Sequence, residues 1–174
     1  MRIRWLQSGS SCPRAIGVIA IPVLLALVSL PVLAAPTDAP FAALQGSWSG
    51  TGTIVLSSGA KERIRCRAND RLGSSSTELW LELNCDSDSY SFKLQSQITY
   101  SDGTVSGNWY ESTRATGGRI NGRVVGNQIQ VRAEGQTFAA ILSLTTRGDR
   151  QSISIQSPGS EMSDVAITLT RKSR

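Results

Sequence analysis

Few residues in this chain are equipped for chemistry. Its 174 residues include no histidine, so neither a Ser-His-Asp nor a Cys-His nucleophile can be assembled, and histidine-based zinc ligation is excluded. Of the three cysteines, Cys12 precedes an apolar run, and Cys66 and Cys85 stand in the body of the chain. An even pair in an oxidising compartment predicts a Cys66–Cys85 disulfide, which removes both as thiolate nucleophiles or metal ligands; two buried thiols are the alternative. Paired carboxylates hydrolyse glycosides in many folds, yet no spacing singles out a pair among Glu62, Glu78, Glu82, Glu111 and Glu134. Asp86-Ser87-Asp88 alternates oxygen ligands but lacks the glycine and distal glutamate of a calcium loop, so a hairpin turn accounts for it. The reading is a non-enzyme with no catalytic residue, no metal site and no cofactor.

The same compartment follows from the amino terminus. Arg2, Arg4 and Arg14 precede an uncharged apolar run over 15–33 that ends in Ala34 and Ala35, which predicts a cleaved signal peptide over 1–35 and a periplasmic or secreted protein. A retained membrane anchor competes with this, since about 18 apolar residues can span a bilayer. Pro22 and Pro31 interrupt the run, however, and no basic flank follows it at 36–40, so no stable span is expected after cleavage. Three of the 18 basic residues and none of the 13 acidic ones lie in 1–35, so cleavage lowers the net charge from +5 to +2. That balance argues against a nucleic-acid partner, which requires a clustered basic surface.

The remaining residues must be positioned by strands. Residues 36–45 read as a leader ending in a short helical turn at 40–45, and 46–174 as one domain. Alternating apolar and polar residues predict strands near 46–57, 61–72, 77–85, 89–100, 104–111, 118–125, 128–134, 138–146, 152–156 and 164–171, separated by Gly, Asn, Asp and Ser. Eight to ten antiparallel strands in sequential hairpins predict an all-β up-and-down meander closing into a small barrel, because closure removes unpaired edges. Gly50, Gly52, Gly107 and Gly122 are expected to relieve curvature in bent strands.

Side-chain parity then assigns faces. Ile64, Cys66, Ala68 and Leu72 share one face, as do Leu79, Leu81, Leu83 and Cys85. Both sets point inward if Cys66 lies opposite Cys85, a register that also sets Leu72 opposite Leu79, Arg65 opposite Asp86 and Arg71 opposite Trp80. Trp48 and Trp109, each in a Gly-x-Trp sequence, share faces with apolar residues and are the candidate contacts for an interior ligand. Trp80 has the opposite parity and is expected outside, stacked with Arg71 as a cation–π pair. Lys61, Arg63, Arg65 and Arg67 form an outward basic stripe. With Trp80, Arg63 and Arg65 are the candidate interaction surface for an anionic envelope component; a solvated face partly neutralised by Asp86 and Asp88 is the simpler account.

Gly46-Ser47-Trp48 at the start of the first strand, after a short turn, resembles the opening motif of the calycins, which include lipocalins, fatty-acid-binding proteins and avidins. The resemblance implies a barrel whose first-strand tryptophan packs across the closed end beside a basic residue of the last strand, and Arg171 in Thr168-Leu169-Thr170-Arg171 stands where that partner would be. The usual C-terminal helix has no counterpart. The stretches 64–67, 105–111 and 138–156 are also similar to uncharacterised exported proteins of Gram-negative bacteria, which implies a periplasmic home. Two function classes follow: a carrier of a small apolar or amphipathic ligand, and a filled barrel acting as an envelope interaction module through its outer face.

Overall fold

The computed structural model describes residues 40–136 and 139–173; the signal peptide expected over 1–35 and the leader residues 36–39 lie outside them. Ten strands follow in chain order: β1 (Gly46–Leu56), β2 (Lys61–Leu72), β3 (Glu78–Asp86), β4 (Ser91–Ser101), β5 (Thr104–Glu111), β6 (Thr116–Val125), β7 (Gln128–Gly135), β8 (Ala139–Arg147), β9 (Arg150–Gln156) and β10 (Met162–Arg171). Each pairs antiparallel with its sequence neighbour, and β10 returns to β1, closing the barrel. The expected meander is therefore present with ten strands, and closure leaves no strand edge unpaired. Among the described residues no helix is long and apolar enough to cross a membrane.

The turn chemistry shows why the hairpins form where they do. Asp102 and Gly103 link β4 to β5 with φ of 49° and 83°, the left-handed pair that matches the twist of the flanking strands. A second left-handed residue was not legible in the sequence: Ala115, φ 49°, between β5 and β6. That conformation costs an alanine roughly 1–2 kcal/mol, and Glu111 holds the loop in place, its carboxylate accepting the backbone N–H groups of Thr113 and Arg114 at 2.9 and 2.8 Å. The strand glycines act as expected. A Cβ on Gly50 would overlap the carbonyl oxygen of Thr168, and one on Gly107 that of Gln97, so these strands can bend against their neighbours only without a side chain.

All four pairings deduced from parity are present: Cys66 with Cys85, Leu72 with Leu79, Arg65 with Asp86 and Arg71 with Trp80. The Cys66–Cys85 disulfide joins β2 to β3 across a Cα separation of 4.1 Å. It belongs to a buried cluster that includes Trp48, Ile54, Ile64, Leu83, Phe92 and Leu169. A second cluster, including Phe41, Leu44, Leu79, Ile98, Val105 and Trp109, fills the other side. Residues 40–44 form a hydrogen-bonded turn, with Leu44 N–H donating to Phe41 O at 3.0 Å, rather than the helical turn expected there. The turn drives Phe41 and Leu44 into one mouth of the barrel, and Phe41 meets Tyr100 edge to face at 6.3 Å.

Candidate functional site

The closed mouth is built around Trp48. It is the third residue of β1, fully buried, and its indole Nε1–H donates to Leu44 O at 2.9 Å. The Arg171 guanidinium lies over its ring, 4.0 Å from the centroid. Arg171 also donates through Nη2 to Ala43 O at 2.7 Å and through Nη1 to Gln45 O, while Nε faces Asp149 at 3.3 Å. One planar cation therefore ties the plugging turn, the first strand and the β8–β9 turn together, which a lysine's single ammonium could not do. Among the described residues the cation–π pair is Trp48–Arg171, the arrangement implied by the sequence resemblance. The expected stacking of Arg71 on Trp80 is replaced by simple cross-strand adjacency.

Above this plug lies an apolar lumen made of two cavities of about 90 and 100 Å³, with Leu94, Ser96, Ile120, Leu142 and Ile155 in the walls of both. Trp109 lines the second; Trp48 lines neither. Trp109 Nε1–H donates to Glu134 O at 3.3 Å, and its ring sits over Gly135, where a Cβ would stand 3.2 Å from Cζ2.

The deeper cavity has a polar floor. Asp70 on β2 is 3% exposed and Gln151 on β9 is 1% exposed, and Gln151 Nε2 donates to Asp70 Oδ2 at 3.1 Å across the barrel. Burial pushes the Asp70 carboxyl up to about 7, against the opposing pull of the Gln151 hydrogen bond and the positive charge of Arg171. This pair was missed among the sequence candidates, although the signal was there. Asp70 shares parity with Ile64, Cys66, Ala68 and Leu72, and Gln151 with Ile153 and Ile155. A carboxylate within an inward-facing series is the unusual residue of a core.

Three of the other candidate acids, Glu62, Glu78 and Glu111, hold loops. Glu111 accepts three backbone N–H groups, that of Lys93 at 3.0 Å besides those of its own loop. Burial raises its pKa, but these donors outweigh that and hold it below the ordinary carboxylate value. Glu62 accepts Ser89 N–H, Glu78 accepts Ser74 N–H and Oγ–H, and Glu134 pairs with Arg132. On the outside, Arg63, Arg65 and Arg67 are exposed and make no ion pair among the described residues. Asp86 lies opposite Arg65, and its carboxylate accepts the Ser91 hydroxyl at 2.8 Å without an ion pair to the stripe among the described residues. Trp80 is 46% exposed and is flanked by Arg71 and Gln97 rather than by Arg63 and Arg65. The candidate interaction residues thus fall into two separate patches.

No protein-family model matches the chain, and no curated protein matches it in sequence. Among solved structures, it is similar to Rv2717c from Mycobacterium tuberculosis at 17% identity with a TM-score of 0.63, over 80% of this chain and 99% of that one. It is also similar to the S-type phycobiliprotein lyase CPES from Guillardia theta at 12% identity with a TM-score of 0.55, over 77% of this chain and 91% of that one. At these identities the likeness is one of fold. The fold of this chain is an antiparallel meander of ten strands closed into a barrel.

Proposed function

We propose that this chain is a non-catalytic carrier of a small amphipathic ligand held in the barrel lumen. The observation that carries the reading is the apolar cavity floored by Asp70 and Gln151. Apolar walls give a ligand non-directional affinity, and a few buried polar groups fix its orientation. The ligand's apolar part lies against Leu94, Ile120, Leu142 and Ile155, and a hydrogen-bond donor at its other end meets Asp70. Trp109, in the wall of the outer cavity, is the ligand-contacting tryptophan of this reading, and Trp48 serves the plug. The cavities are small, so the cargo is compact or displaces side chains on entry.

The protein works outside the cytosol in this reading, in the periplasm or secreted. The 1–35 sequence pattern and the disulfide support that location. The likeness to a phycobiliprotein lyase supports the barrel as a scaffold and leaves the cargo to experiment.

The test is native mass spectrometry of protein purified from its own compartment, followed by titration of the identified molecule, or of a panel of fatty acids, retinoids and haem, while tryptophan fluorescence is recorded. Binding that is lost in Ser96→Leu, which fills both cavities, supports the carrier. Absence of any co-purified molecule together with no response across the panel overturns it.

A further inference from the structure

The outer wall carries a groove between two exposed aromatic side chains. On β3 the outward Trp80 and on β5 the outward Tyr110 are each 46% exposed, two of the four large apolar side chains left open to solvent among the described residues. Strand β4 runs between them and presents Gln95 and Gln97. The register makes the arrangement explicit: Trp80 lies opposite Gln97, which lies opposite Asn108, and Gln95 lies opposite Tyr110. Two inter-strand steps and a two-residue diagonal offset separate the rings by about 12 Å along the sheet. Between them is a groove of about 330 Å³, bounded on the β2 side by Asn69 and Arg71.

The chemistry of the groove is specific. Gln95, Gln97 and Asn108 form no side-chain hydrogen bonds among the described residues, so their amides face solvent with donors and acceptors free. Arg71 and Glu82, one cation and one anion, bound the groove, leaving no net charge between the aromatics. A nucleic-acid strand would require a positive track beneath its phosphates. A peptide cannot add as a strand, because the closed barrel has no free edge. Aromatic platforms with an apolar face, separated by uncharged amides that both donate and accept, complement a chain of rings carrying apolar C–H faces and equatorial hydroxyls.

We infer that the Trp80–Tyr110 groove binds an oligosaccharide, with two sugar rings stacked on the aromatics and the hydroxyls of the intervening stretch hydrogen-bonded to Gln95, Gln97 and Asn108. The span between the rings sets the occupant as an oligomer rather than a monosaccharide. The site needs neither the lumen nor its ligand, so the inference stands apart from the carrier reading.

The test is isothermal titration of the protein with hexamers of N-acetylglucosamine and of glucose in β-1,4 and α-1,4 linkage, with the monosaccharides and a single-stranded oligonucleotide as controls. At least one hexamer binds, its monomer binds tenfold or more weakly, and Trp80→Ala and Tyr110→Ala each reduce affinity at least tenfold. Gln97→Ala, an exposed change with no packing consequence, reduces it severalfold, and circular dichroism of each variant matches the parent. Leu142→Phe, which obstructs the lumen from a strand that carries no groove residue, leaves hexamer binding unchanged. No binding of any hexamer at millimolar concentration, binding indifferent to both aromatic substitutions, or preference for the oligonucleotide would each overturn the assignment.

Discussion

The two mouths of the barrel are built from different materials. At the plugged mouth Phe41, Leu44, Trp48 and Leu79 are almost wholly removed from solvent, and Arg171 pins the plug through the Ala43 and Gln45 carbonyls. At the opposite mouth the loops are held by polar contacts: Ser89 N–H to Glu62, Tyr90 Oη–H to Glu161 at 2.8 Å, Ser160 Oγ–H to Met162 O at 2.6 Å, and the three donors of Glu111. Burial of large apolar surface resists opening, whereas hydrogen bonds at exposed loops exchange readily with water. On the carrier proposal, the difference points to entry through the loop mouth, past Phe92, Glu111 and Met162, toward the plugged floor.

The sharpest way to break this contrast is to empty the plug. Trp48→Ala removes the largest fully buried side chain, takes the ring from beneath Arg171 and leaves the Leu44 carbonyl without its indole donor, and is expected to lower unfolding free energy by about 3–5 kcal/mol. Urea titration reads the loss, and a change below about 1 kcal/mol would make the two mouths equivalent.

Asp70→Asn sharpens it from the floor. The folded carboxyl titrates at about 7 and the unfolded one near its ordinary value of 3.8, so between these values the native state binds more protons, and stability falls as pH rises through that window. The asparagine variant keeps an acceptor for Gln151 and abolishes that slope. At pH 8 it is expected to be more stable by on the order of 4 kcal/mol, with no gain near pH 3.5. Urea midpoints across pH 3.5–8 check both sign and window; parallel curves for variant and parent would remove Asp70 as the buried titrating group.

Opening the Cys66–Cys85 bridge with paired serines tests the covalent tie between β2 and β3. Loss of the covalent constraint is expected to cost about 3 kcal/mol, measured by thermal unfolding of the double variant. At the loop mouth, Glu111→Gln is expected to cost about 1.5–3 kcal/mol through its charge-assisted hydrogen bonds. Because the folded pKa of Glu111 is depressed, its contribution is complete above the unfolded value and vanishes as pH falls through the folded one. Amide exchange at residues 112–116 should accelerate while the plug stays protected. Tyr90→Phe, which removes one exposed hydrogen bond, is expected to change stability by about 0.5 kcal/mol or less; a larger loss would show that the loop mouth carries more of the fold than its exposure implies.

The barrel, its register and its disulfide were legible because the side-chain period of a strand is two. Once Cys66 faces Cys85, Leu72 must face Leu79 and Trp80 must point outward. Parity also placed Asp70 inside, on the face of Ile64 and Ala68, and that charge within an apolar series was the clearest overlooked sign of the site. Parity could not say which inward residues touch one another across the lumen. Asp70 and Gln151 are 81 residues apart, on strands that do not pair, and they meet only because the sheet closes.

Alternation and turn residues act over a few positions, and for that reason the amino-acid order alone determined the strands, the faces of their side chains and the cross-strand partners of Cys66 and Trp80. The size of the lumen, the plug of residues 40–44, the Asp70–Gln151 floor and the separation of Trp80 from the basic stripe depend on barrel curvature. Curvature sums small bends at Gly50, Gly107 and their counterparts around ten strands, and no local pattern records that sum.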